Sequence, residues 1–110
     1  MAQVSYDAIL RQILEKYAEM KPSVGEIETE AIIDESQEHF ELVHTGWVNG
    51  HRVHGAVLHI DIRGGKVWIQ HDGTHDGVAE ELVEAGVPRD HIVLAFKPPE
   101  MRKYTDYAVS

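Results

Sequence analysis

The sequence predicts an α+β domain: an N-terminal helix, a four-stranded antiparallel β-meander, a second helix, and a short fifth strand or extended C-terminal segment. Three observations carry this. An apolar stripe at helical spacing opens the chain. Strand-like segments follow, punctuated by Asn49-Gly50 and Gly64-Gly65. A second helical stripe then runs into Gly86 and Pro88.

In "SYDAILRQILEKYAEM", Tyr6, Ile9, Leu10, Ile13, Leu14 and Tyr17 share one helix face. Ser5 is placed to cap the helix, Asp7 suits its positive first turn, and Pro22 and Gly25 end it. "GEIETEAIID" then alternates. Ile27, Thr29, Ala31 and Ile33 face one way, and Glu26, Glu28 and Glu30 the other. "FELVHTGW" is the second strand and "RVHGAVLHIDI" the third, joined by Asn49-Gly50, a strong hairpin signal. Gly64-Gly65 turns the chain into the fourth strand, "KVWIQ". Asp76 or Thr74 is set to cap a helix that buries Val78, Ala79, Leu82 and Val83. "HIVLAF" is a fifth strand or buried extended segment, and Pro98-Pro99 predict extended backbone beyond it. No repeat or long linker divides the chain, so residues 1–110 read as one domain.

Composition narrows the function classes. Apolar and charged contents of 43% and 26% are those of a globular protein. With no cysteine there is no disulfide scaffold, thiolate metal site or cysteine nucleophile. The absence of an apolar leader or spanning run, together with the lack of cysteine, points to the cytoplasm and away from membranes. A net charge of −9 disfavours direct binding to nucleic acid, which relies on lysine and arginine. Nine acids lie between Glu15 and Glu41, against Lys16 and Lys21 alone. The row of Glu26, Glu28 and Glu30 is a solvated edge that discourages strand pairing, or a face for a basic protein partner.

Five of the eight histidines, His51, His54, His59, His71 and His75, fall between residues 50 and 77. Strand parity tests whether they converge. A strict turn at Gly64-Gly65 sets Ile62 against Val67, Ile60 against Ile69 and Leu58 against His71. It also sets Asp61 against Trp68 and His59 against Gln70. His54 then points with Leu58 and Ile60, opposite to His59 and Asp61, unless a bulge near Gly55 intervenes. No three of the five meet, so no metal site and no cofactor are expected. His59 and Asp61 share a face with Trp68 and Gln70. The plain reading of that group is a polar cross-strand network. The sharper one is an acid–base or metal-dependent hydrolase centre, for which no serine lies on these strands. A strict turn at Asn49-Gly50 pairs Glu41 with Leu58 on the core face. A bulge near Gly46 or Gly55 would repair that mismatch. Val53, Val57 and Trp68, with Phe40 and Leu42, give the His59 face apolar area that wants the C-terminal tail or a second copy as cover.

Taken together, "GEIETEAIID", "GW", "RVHGAVLHIDIRGGKVWIQHDGTHDGVAEELVEAGVP" and "IVLAFKPPEMRKYTDYAV" resemble the XisI family, the cyanobacterial fdxN-element excision controlling factors. The resemblance runs from the first helix to the last residues. It implies a small cytoplasmic α+β protein that acts with a XisH-like partner and a recombinase in excision of a DNA element. It supplies no catalytic residues, so the expected role is a non-enzymatic interaction module. His54, His59 and Asp61 fall in its "RVHG…HIDI" block. At His71 and His75 other members of the family often carry different residues, a departure that weakens a shared five-histidine site further. The polar group His54, His59, Asp61, Trp68 and Gln70 and the acidic row are the expected interaction surfaces, with a homodimer as a further expectation.

Overall fold

In a computed structural model, which describes residues 5–20, 25–74 and 77–110, the first apolar stripe forms α1 (Tyr6–Glu19). Ser5 Oγ accepts the Ala8 N–H at 3.1 Å, which satisfies one of the orphan donors of the first turn. Ile9, Leu10, Ile13 and Leu14 are its buried residues. Pro22, His75 and Asp76 lie outside the described residues.

Four strands follow as an antiparallel meander: β1 (Glu26–Asp34), β2 (His39–Val48), β3 (His51–Arg63) and β4 (Lys66–Asp72). Helix α2 (Val78–Glu84) and a short 3-10 turn (Arg89–His91) then return the chain to β5 (Ile92–Leu94), which lies parallel to β4. The sheet order is β1-β2-β3-β4-β5. Both hairpin turns have positive φ at their two central residues: 49° and 79° at Asn49-Gly50, and 57° and 77° at Gly64-Gly65. That twist matches the strands they join. Gly46 is needed for a different reason. Its φ is 155°, and a Cβ there would stand 2.0 Å from the Glu26 carbonyl oxygen on β1.

Two register shifts correct the strict pairings. Between β2 and β3, Val43 pairs with Ala56 but Leu42 pairs with Leu58, so Val57 is the extra residue. This is the repair expected near Gly55. It brings Leu42 and Leu58 together on the core face and sets Glu41 against His59. The Val57 carbonyl accepts the Gly73 N–H at 2.6 Å. Between β3 and β4, Ile60 pairs with Ile69 but His59 pairs with His71, so Gln70 is extra. His59 therefore does not face Gln70, and Leu58 faces Asp72 instead of His71.

One core joins the two helices to the inner face of the sheet. It holds Ile9, Leu10, Ile13 and Leu14 of α1, Val78 and Leu82 of α2, and strand residues such as Phe40, Leu42, Leu58 and Ile60. Phe40 and Leu42 thus belong to the core, not to the His59 face. Val57 packs against the same cluster, and Val53, opposite Gly46, shares the inner side. At the start of α2 the Thr74 alternative is not realised, and Asp76 lies outside the described residues. Asp72, at the end of β4, accepts the Val78 N–H at 2.8 Å, and Thr74 is held by Asp72 instead of capping the helix. Gly86, with φ 113°, follows the last turn as expected.

Pro98 is extended, but Pro99 starts a short helix, α3 (Pro99–Arg102), where its fixed φ suits the first helical position. The tail beyond it closes the β5 edge: Ala108 N–H donates to the Ile92 carbonyl at 2.8 Å. Arg102 lies 5.7 Å from the Trp68 ring centre on the outer face. The C-terminal segment therefore covers the β4–β5 part of that face. No described helix is long and apolar enough to cross a membrane.

Candidate functional site

β2 and β3 pair His39 with Asp61 and Glu41 with His59. Alternation along each strand sends these four side chains to the outer face, away from the helices. Two imidazoles and two carboxylates thus form a square. His39 Nδ1 and Asp61 Oδ1 are hydrogen-bonded at 2.7 Å, and His39 Nε2 lies 3.5 Å from Glu41 Oε2. His59 Nε2 lies 3.5 Å from Asp61 Oδ2, and the two histidine rings meet edge to face with centroids 4.6 Å apart. Asp61 is the one buried charged residue among those described. Its Oδ2 also accepts from Gln70 Nε2 at 3.2 Å and from Arg63 Nη2 at 3.3 Å.

Burial works against a charge on His39, but the adjacent carboxylates of Asp61 and Glu41 outweigh it and raise its pKa above the ordinary histidine value. His59 Nε2 is buried and has no hydrogen-bond partner; Trp68 Nε1 is in the same condition. His39, His59 and Asp61 place one donor atom each within 4.8 Å of one another, the one such group among the described residues. The depression in front of them is also lined by Asp34, Gln37 and Arg63. Ser36 lies in the adjoining turn, but its hydroxyl is donated to Asp34 at 2.7 Å. The square pairs imidazole with carboxylate, and the hydroxyl in the adjoining turn, Ser36, is already engaged by Asp34.

Of the residues predicted to act together, His59, Asp61, Trp68 and Gln70 do lie together. The extra residue at Val57 moves His54 onto the same face, opposite Thr45, yet it is exposed and outside the cluster. His51 and His71 are exposed, and His75 lies outside the described residues. Glu26, Glu28 and Glu30 project from β1 to the same outer face, opposite Trp47, Thr45 and Val43. Sequence reasoning missed His39 and Glu41. The signal was the mismatch of Glu41 with Leu58, which the one-residue shift at Val57 resolves.

The family model for XisI protein matches residues 1–109. A XisI-like protein from Anabaena variabilis has a crystal structure that superposes with a TM-score of 0.85 at 36% identity, covering 96% of each chain. The fdxN element excision controlling factor XisI from the same organism superposes with a TM-score of 0.80 at 30% identity, again over 96% of each chain. Comparison with curated proteins found no match.

Proposed function

The chain belongs to the XisI family, and on that premise we propose that it is a non-enzymatic controlling factor for excision of a DNA element, acting by binding a XisH-like protein. The observation that carries the reading is the uncovered β1–β3 part of the outer face. There Glu26, Glu28 and Glu30 stand beside Ile32 and Trp47, which are 45% and 51% exposed. Apolar area framed by like charges is the character of a protein-binding surface. With a net charge of −9, the favoured partner is a basic, DNA-handling protein, guided and oriented by charge.

Co-expression with a XisH-like protein followed by gel filtration tests this. One shared peak at low salt that weakens as salt rises is the expected result. Two separate peaks at low salt contradict it. Without a partner, a second copy of the chain is the natural occupant of the same face. A dimer in light scattering that gives way when the partner is added would show that the two contacts exclude each other.

A further inference from the structure

We propose that His39, His59 and Asp61 form a binding site for a transition-metal dication of the zinc class on the outer face of the sheet. Two imidazoles and one carboxylate, with a free position for water, are the donor set of a three-ligand zinc site. Imidazole donors select zinc, nickel or cobalt over magnesium and calcium, which prefer oxygen.

The geometry supports this in three ways. A tetrahedral ion with bonds of ~2.0–2.1 Å holds its ligand atoms about 3.3 Å apart. His59 Nε2 and Asp61 Oδ2 are 3.5 Å apart and make no hydrogen bond. Second, the His59 nitrogen is buried and unpartnered, a costly condition that an ion relieves. Third, the strands pre-arrange the trio: His39 and Asp61 are directly paired, and His59 and Asp61 are two residues apart on β3. His39 joins by releasing the proton on Nδ1 to solvent and exchanging its bond to Asp61 for one to the metal. Its Nε2 then keeps Glu41, 3.5 Å away, as the orienting carboxylate. Arg63 and Gln70 both compete for Asp61 Oδ2, at 3.3 Å and 3.2 Å, and Arg63 is the one that carries charge. The Arg63 side chain is 65% exposed, so it can swing into solvent when the ion enters.

The site is read on the isolated chain, so it stands or falls separately from the partner proposal. The test is calorimetric titration of the chelator-treated protein with zinc chloride, together with NMR of the histidine rings. One equivalent is expected to bind, with the ring signals of His39 and His59 moving together. His39→Gln and His59→Gln should each weaken binding at least about tenfold, while His54→Gln, on the same face but outside the trio, should leave it unchanged. Circular dichroism checks that each variant is folded. Absence of saturable binding to the parent protein would overturn the proposal. So would binding that survives both His39→Gln and His59→Gln in folded protein, or that depends on His54.

Discussion

The inner and outer faces of the same sheet are covered in different ways. On the inner face, Phe40, Leu42, Leu58, Ile60, Val67 and Ile69 are at most 1% exposed beneath α1 and α2. The outer face is divided. Arg102 and the C-terminal segment cover the β4–β5 end, the histidine–carboxylate square sits mid-sheet, and Trp47 and the glutamate row are left to solvent. The inner face carries the stability of the fold; the outer one presents chemistry. Each of the following experiments would break or sharpen that division.

The largest effect belongs to the inner face. Phe40→Ala should cost about 3–5 kcal/mol in urea denaturation, through lost transfer energy and the cavity it leaves. A loss below about 1 kcal/mol would mean that this face is not tightly packed. Gly46→Ala should cost more than ~1 kcal/mol, because its Cβ meets the Glu26 carbonyl at 2.0 Å and β1 must move. On the outer face, replacing Glu26, Glu28 and Glu30 by lysine should change stability by no more than about 0.5 kcal/mol per site. The same change should abolish co-elution with a basic partner. A large stability loss would erase the distinction between the faces.

The smallest effect is a titration. NMR should place the His39 midpoint above the ordinary value of about 6.5. Because the folded-state pKa is raised, its ion pairs stabilise the protein fully below about pH 6.5, and that stability is lost as pH rises through the folded midpoint. Asp61→Asn should bring the midpoint back down. A midpoint unchanged by that substitution would remove Asp61 as a cause.

Much of this was readable from residue order because it depends on local periodicity. The α1 stripe, the alternation from Ile27 to Ile33 and the glycine-marked turns each report burial within a few neighbouring residues. The cap of α2 was not readable, since Asp72 reaches it from six residues away. The parallel pairing of β5 was hidden as well, because α2 carries the chain across the sheet before that strand forms. His59 and Asp61 were visible as a pair because they are two apart on one strand.

By itself, then, the sequence determined the α+β class, the meander, the first helix with its cap and the two hairpin turns, all products of short-range pattern and backbone preference. Only the tertiary structure decided where the strands slip. A single extra residue at Val57 leaves composition and turn signals untouched, yet it changes which side chains meet across the sheet. That slip seats Leu42 on Leu58 in the core and aligns His39 and Glu41 with Asp61 and His59. The square exists because packing of the inner face fixed the register of the outer one.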